Sequence, residues 1–145
     1  MNNKDKAIDA SIAYFDSGFG CAESVLKAIA EYKGIQSKLI PRIATGFCGG
    51  IARTNGMCGA VTGGVLAINL VLGRDRADQD KEANYEAIQK FMGNFVKRFE
   101  NVSCPSLIGV DLSTEEGQKA FSERNLHPRC AGFVGEGTRM VLEII

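Results

Sequence analysis

The sequence predicts an all-α protein, a compact single-domain bundle of about six helices that spans residues 1–145. Two patterns favour this fold class. Apolar residues recur at steps of three or four along most of the chain, which is typical of amphipathic helices. Runs in which apolar and polar residues alternate, as they do in strands, are scarce. No repeat, linker or low-complexity segment divides the chain, and one domain of this length buries roughly 68–70% of its unfolded surface.

Three helical segments are predicted in the first third of the chain. Apolar residues at helical spacing indicate a first helix that ends near Asp16 and a second over residues 21–32. Gly34 follows the second helix, at a position where glycine often takes a left-handed conformation and ends the helix. A short third segment is expected over residues 37–46, because its first serine can cap it and Pro41 suits its first turn.

The middle of the chain carries the most apolar predicted helix and the longest one. A glycine-rich connection over residues 46–59 leads into a helix over residues 58–72, which ends at Gly73. Apolar residues cover almost all sides of this helix, so we expect it to be buried at the centre of the bundle. Aromatic and aliphatic residues three or four apart then predict the longest helix, over residues 75–100, and a loop follows to Asp111.

Two helices are predicted near the C-terminus. Ser113 and Glu116 have the spacing of a capping box and would begin a short helix that ends near Asn125. Pro128 is expected to interrupt the helical pattern, because proline lacks the N–H group that a helix interior needs. The last helix is predicted over residues 130–145, with valine and leucine side chains on its core face.

Composition narrows the class of protein. Seventeen basic and 17 acidic residues give a formal net charge of zero, and no cluster of Lys or Arg marks a nucleic-acid surface. The first residues are polar and do not resemble a secretory signal. The longest apolar stretch, residues 65–72, is far shorter than the roughly 20 residues that cross a bilayer. We therefore expect a cytoplasmic protein without nucleic-acid binding or membrane insertion.

Cysteines are the residues that point to chemistry. Four of the five lie beside glycine or proline at predicted helix boundaries: Cys21, Cys58, Cys104 and Cys130. A thiol at a helix N-terminus meets the positive end of the helix dipole and free backbone N–H groups, which favour the thiolate. We therefore expect the pKa of Cys58, at the start of the fourth helix, to lie below the usual value of about 8.5. Thiolates attack disulfides and bind soft metals, so the pattern predicts redox or metal chemistry.

Other interpretations of these residues remain open. No Cys-x-x-Cys pair exists, so any site has to be assembled by tertiary packing, and a buried cysteine can be a small apolar residue without function. Gly59 and Gly63 can serve the close approach of a neighbouring helix or leave room around a thiol. His127, the only histidine, is more often a cap or loop residue than a ligand or base. Arg53 and Arg129 can stabilise thiolates or simply face solvent.

Several segments resemble the C-GCAxxG-C-C family of small redox-active proteins. The most specific is the Cys-Gly-Ala-x-x-Gly element that begins at Cys58, and residues 49–53 lead into it. The other matching segments are residues 20–25 and 104–109, and Cys130 ahead of the final helix. The resemblance therefore covers nearly the whole chain.

The resemblance implies which cysteines are functional, as catalytic groups or as ligands of a cofactor or metal. They are Cys21, Cys58, Cys104 and Cys130. Cys48 stands where the family favours a small residue, which leaves open an alternative pair of Cys48 with Cys58. The family is also similar to the non-haem part of split-Soret cytochromes, which are dimers thought to carry an iron–sulfur centre. The chain lacks their haem-binding motif, so only cluster binding carries over.

A homodimer in which the four cysteines converge, each sulfur within about 7 Å of another, is the arrangement that the resemblance implies. Four thiolates suit an iron–sulfur cluster or a zinc ion, and without metal they suit dithiol–disulfide pairs. The expected role is electron transfer or thiol–disulfide exchange with an unidentified redox partner, as an oxidoreductase or an electron carrier. The alternative is a helical binding or scaffold domain whose cysteines are inert or hold structural zinc.

Overall fold

A computed structural model describes residues 2–145, and every regular element in that range is helical, which confirms the all-α prediction. The described residues form eight helical segments and one 3₁₀ helix, rather than about six helices. The additional segments are single turns, which are too short for apolar periodicity to reveal. The elements are α1 (Asn3–Asp16), α2 (Cys21–Tyr32), the 3₁₀ helix (Arg42–Phe47), α3 (Cys48–Arg53), α4 (Gly59–Leu72), α5 (Glu82–Phe99), α6 (Cys104–Ile108), α7 (Glu115–Glu123) and α8 (His127–Leu142).

One hydrophobic core joins the long helices. α2 packs against α1, α4 and α8, and α5 packs against α4 and α8. Val25, Leu26 and Ile29 of α2 are fully buried, as are Phe91 and Phe95 of α5. α2 therefore lies between three other long helices.

α4 is apolar, but it is not buried on all sides. One face of α4 carries glycine and alanine and packs against α2 and α8, whereas Val65, Leu66 and Leu70 are only half-buried. The predicted buried central helix is therefore not confirmed, because an apolar composition does not determine which sides of a helix its neighbours cover. Among residues 2–145, no helix combines the length and the apolar character needed to cross a bilayer.

Glycines bring α2 and α4 unusually close together. A Cβ on Gly63 would lie 2.7 Å from the carbonyl oxygen of Ala22, and a Cβ on Gly59 would lie 2.9 Å from the Ala22 nitrogen. Real Cβ atoms do not approach backbone atoms so closely, so both positions require glycine. The close-approach interpretation of these two glycines is confirmed, and the first turns of α2 and α4 lie side by side as a result.

α5 begins at Glu82 rather than at residue 75. Residues 75–81 form turns instead. In these turns Gln79 Oε1 accepts hydrogen bonds from the backbone N–H groups of Asp75 (2.6 Å) and Arg76 (3.0 Å). Side-chain bonds of this kind offer the backbone an alternative to helical hydrogen bonds, which the apolar periodicity further along the segment does not reveal.

Both C-terminal helices start differently from the prediction. Thr114, not Ser113, caps α7, because Thr114 Oγ1 accepts a hydrogen bond from the Gly117 N–H at 2.9 Å. α8 begins at His127, and Pro128 lies in its first turn. The first N–H groups of a helix have no partner within the helix, so proline is tolerated there. Pro128 therefore begins a helix instead of interrupting one.

Candidate functional site

A cavity of about 530 Å³ lies where the first turns of four helices meet. The four cysteines at predicted helix boundaries all line it: Cys21 begins α2, Cys58 caps α4, Cys104 begins α6 and Cys130 lies in the first turn of α8. All five cysteines of the chain are free thiols. The fold thus gathers, around one cavity, thiols that lie far apart in the sequence.

Two glycines make this gathering sterically feasible. A Cβ on Gly59 would lie 2.7 Å from Cys21 Cβ, and a Cβ on Gly50 would lie 2.7 Å from Cys104 Cβ. Each glycine therefore leaves the space that a neighbouring cysteine side chain occupies. Both interpretations of Gly59 hold together, since it permits close helix packing and also makes room for a thiol.

A short backbone link fixes Cys58 relative to Cys104. The Cys58 N–H donates a hydrogen bond to the carbonyl oxygen of Val102 at 2.7 Å, and the Cys104 N–H donates one to the carbonyl oxygen of Gly56 at 2.9 Å. These bonds flank an isolated antiparallel bridge between the two segments. The starts of α4 and α6 are thereby held together on one side of the cavity.

Burial, not the helix N-terminus, dominates the titration of Cys58. Burial raises the pKa of Cys58 to about 12, although the N–H groups of Ala60 and Val61 act to lower it. The predicted lowering of this pKa is therefore wrong. The helix-terminal effect exists, but a thiolate at a position only 5% exposed loses more hydration than those N–H groups replace. Burial likewise raises the pKa of Cys104 to about 11.

The Cys21 and Cys130 thiols interact, and their pKa values shift in opposite directions. A hydrogen bond from the Cys21 thiol lowers the pKa of Cys130; burial opposes this effect, and the positive charge of Arg129 adds to it. The same hydrogen bond, together with burial, raises the pKa of Cys21 well above its ordinary value. Cys130 is therefore the cavity cysteine that most readily becomes a thiolate, while Cys21 keeps its proton.

Two basic residues lie on the cavity. His127 Nε2 donates a hydrogen bond to Asp16 Oδ1 at 2.9 Å, and the His127 ring stacks on Phe15 with centroids 4.4 Å apart. Arg53 lines the cavity with an exposed side chain. These contacts explain the position of His127 at the start of α8, and a role as a metal ligand or base stays an open alternative.

The cavity walls are the part of the site that sequence analysis did not identify. They are mainly apolar and come from several helices and the loops between them. A weak signal existed, because Phe19 and Phe133 lie within three residues of Cys21 and Cys130. The apolar wall residues are Phe15, Phe19, Leu107, Ile108, Leu112, Phe121 and Phe133.

α3, in the connection before α4, is a left-handed turn over residues 49–53 and not a right-handed helix. All five of its residues have positive φ, between 53° and 69°. Glycine adopts this conformation freely, but it costs about 1–2 kcal/mol for each of the three non-glycine residues. The Gly56 N–H closes the turn by donating to the Gly50 carbonyl oxygen at 2.8 Å. Sequence analysis predicted only a glycine-rich connection here, and the Gly-Gly pair was its one local signal.

Cys48 lies outside the cavity. Its sulfur packs against Gly20 and lies 3.7 Å from Glu23 Oε1 and 3.6 Å from the Ala44 carbonyl oxygen. Burial raises its pKa. Cys48 also lines a separate pocket beside the left-handed turn. The alternative pair of Cys48 with Cys58 stays a prediction.

The cavity thiols influence one another electrostatically. A thiolate on Cys130 would raise the pKa of both Cys58 and Cys104, because like charges repel across the cavity. Among residues 2–145, no three His, Cys, Asp or Glu side chains lie close enough together to coordinate one metal ion. The expected spacing of about 7 Å between sulfurs stays a prediction.

Comparison with known proteins identifies a family over most of the chain. Residues 19–144 match the family described as "Putative redox-active protein (C_GCAxxG_C_C)". This range contains all five cysteines and every helix from α2 to α8. Searches of curated proteins and of solved structures found no match. Because the family match covers far more than half of the chain, the protein belongs to the C-GCAxxG-C-C family.

Proposed function

We propose that the protein carries out thiol–disulfide exchange in this cavity, with Cys21 and Cys130 as the reacting pair. The observation that carries the proposal is that both thiols line one cavity large enough for a substrate, and each shifts the pKa of the other. Each residue lies in the first turn of its helix, and α2 packs against α8, so the pair is held by the core. Family membership supports redox chemistry in general, and this pair supplies a specific form of it.

The reaction begins at Cys130. Its thiolate attacks one sulfur of a substrate disulfide, a bond forms between Cys130 Sγ and that sulfur, and the other half leaves as a thiolate. Cys21 gives up its proton, which that leaving group takes up, and attacks Cys130 Sγ. The second half of the substrate then leaves as a thiolate and takes up a proton from solvent. A disulfide between Cys21 and Cys130 remains, and two electrons have passed from these two cysteines to the substrate disulfide. A dithiol reductant, the unidentified redox partner, returns Cys21 and Cys130 to thiols by the same exchange.

Cys58 and Cys104 have a different role in this proposal. With pKa values of about 12 and about 11, both stay protonated near neutral pH. A protonated thiol is a poor nucleophile, so these two cysteines shape the cavity without competing with Cys130.

The experiment measures the reduction of a small neutral disulfide, 2-hydroxyethyl disulfide. The thiol that it releases and the intact mass of the protein report the reaction. We expect Cys130→Ser to abolish reduction. Cys21→Ser should accumulate a mixed disulfide on Cys130, because the thiol that resolves it is gone. Cys48→Ser, outside the cavity, is the matched control and should react like the wild type. Undiminished reduction by Cys130→Ser, or a mixed disulfide on Cys58 or Cys104 instead, would refute the proposed pair.

A metal centre on the same four cysteines is the second candidate function. The observation that favours it is that all four thiols line one cavity, since thiolates are the ligands of iron–sulfur clusters and of structural zinc. In their present arrangement the side chains do not form a metal-coordinating group, so binding would require them to rotate. Protein purified without oxygen, with iron, sulfide and zinc measured against protein, tests this candidate.

The proposal extends to assembly and location. The family resemblance supports a homodimer, and five free thiols support a cytoplasmic protein that works with a redox partner. Light scattering on the purified protein measures the oligomeric state. The alternative of a scaffold domain with inert cysteines predicts no thiol release from any disulfide and no bound metal.

A further inference from the structure

Access to the cavity sulfurs limits the size of a substrate. Cys58, Cys104 and Cys130 are only 5, 9 and 8% exposed. The cavity volume of about 530 Å³ lies in the range of roughly 300–1,000 Å³ that small-molecule sites occupy. A disulfide inside a folded protein is flanked by main chain on both sides and would not reach these sulfurs. The cavity therefore suits a small molecule.

The lining indicates the chemistry of that molecule. Phenylalanine, leucine and isoleucine side chains form most of the wall and suit an apolar body. His127, one of the two basic residues on the cavity, already donates a hydrogen bond to Asp16. Arg53, the other, has no carboxylate oxygen within 4.0 Å among residues 2–145. An unpaired guanidinium beside an apolar cavity favours a ligand that carries an acidic group.

The left-handed turn places Arg53 at this position. Arg53 is its last residue, and the Arg53 side chain folds back over Gly49, where a Cβ would lie 3.5 Å from Arg53 Cγ. Gly50, in the same turn, packs against Cys104 on the cavity wall. Backbone conformations this costly persist where the surrounding structure holds them, and they concentrate at functional sites. The turn thus joins the cysteine wall to the cationic residue at the cavity.

We propose that the cavity binds a small acidic disulfide, with its apolar body against the phenylalanine wall and a carboxylate paired with Arg53. This assignment rests on the proposed thiol–disulfide exchange and adds the substrate class to it. The planar guanidinium can donate two parallel hydrogen bonds to a carboxylate, which would orient the substrate with its S–S bond toward Cys130. The exchange itself is unchanged, and Arg53 is a binding residue that selects for charge.

The test compares two probes of equal length, 3,3′-dithiodipropionic acid and its neutral diamide. The rate at which the protein reduces each probe is divided by the rate at which a free small thiol reduces the same probe. This ratio corrects for the difference in intrinsic reactivity between the two probes. We expect the wild type to prefer the diacid by about tenfold, the effect of one charge-assisted contact. Arg53→Gln should lose this preference through a higher KM for the diacid, and Arg53→Lys should keep part of it.

Two controls separate the inference from the proposed function and from misfolding. Arg129→Gln should slow both probes equally, because Arg129 acts on Cys130 and not on the substrate. The circular dichroism spectrum and the urea midpoint of Arg53→Gln, compared with those of the wild type, show whether this variant is folded. Equal normalised rates for both probes in the wild type, or a preference that survives in Arg53→Gln, would overturn the substrate class while leaving the exchange intact. Failure of the wild type to reduce either probe would overturn the exchange and the substrate class together.

Discussion

Gly59 lies directly against Cys21, so that a Cβ on residue 59 would come within 2.7 Å of Cys21 Cβ. This contact joins the first turn of α4 to the first turn of α2. The two helices are also in close contact one turn further along α4, where Gly63 faces the backbone of Ala22. The position of the cysteine cavity therefore depends on small residues along one face of α4, and substitutions on that face should affect both stability and the site.

Gly63→Ala should destabilise the protein by about 1–3 kcal/mol, the usual cost of overpacking a core. The added methyl group would meet the Ala22 backbone, which cannot move aside as a flexible side chain can. Gly93→Ala is the matched control, because a Cβ on Gly93, within α5, would have no neighbouring atom within 4 Å, and this variant should gain about 0.5–1 kcal/mol. Chemical denaturation measures both, and equal effects of the two substitutions would contradict the close helix contact.

Alkylation should modify Cys130 at lower pH than any other cavity cysteine. Its pKa is lowered by the Cys21 hydrogen bond, whereas burial raises the pKa values of Cys58 and Cys104. Cys21→Ala removes the donor and should shift the pH midpoint of Cys130 upward. Cys21→Ser keeps a hydroxyl donor and should shift it less. Peptide mass spectrometry after iodoacetamide pulses reports each midpoint, and identical midpoints in the two variants would argue against the hydrogen bond.

Stability should fall as pH rises above about 8.5, the value at which thiols titrate in the unfolded chain. The folded-state pKa of Cys58 is raised to about 12, so the folded protein keeps a proton that the unfolded chain loses in this window. This stabilising contribution is complete below about pH 8.5 and is lost as pH approaches 12, at up to about 1.4 kcal/mol per pH unit for one thiol. Serine does not titrate in this pH range, so the urea midpoint of Cys58→Ser should fall less steeply than that of the wild type from about pH 8.5 to about 10.5. Parallel slopes in both proteins would contradict the raised pKa.

Ala52→Gly should stabilise the protein by about 0.5–1 kcal/mol. Ala52 has φ of 53°, and glycine removes the strain of that conformation at a smaller cost in unfolded-state entropy. Ala10→Gly, in the middle of α1, should instead destabilise by about 1 kcal/mol, since glycine weakens a right-handed helix. Equal losses in both variants, measured by urea denaturation, would show that residue 52 does not adopt a left-handed conformation.

Local patterns predicted the helices well where local interactions decide them. The bounds of α2 and the end of α1 match the prediction, and Gly34 has the left-handed φ expected of a helix-ending glycine. Periodicity failed where polar side chains compete for the backbone, as at residues 75–81, and where a segment is a single turn, as in α6. The left-handed turn was missed because its conformation depends on the Gly56 hydrogen bond and on packing against Cys104.

The sequence by itself determined that the protein is helical, that four cysteines lie at helix boundaries, and that their pattern is that of the C-GCAxxG-C-C family. These properties follow from periodicity, capping residues and motif spacing, which act between residues close in the chain. Only the tertiary structure decided which thiol is the acidic one. The helix dipole at Cys58 is local, but the burial that outweighs it comes from distant segments, and so does the effect of Cys21 that lowers the pKa of Cys130.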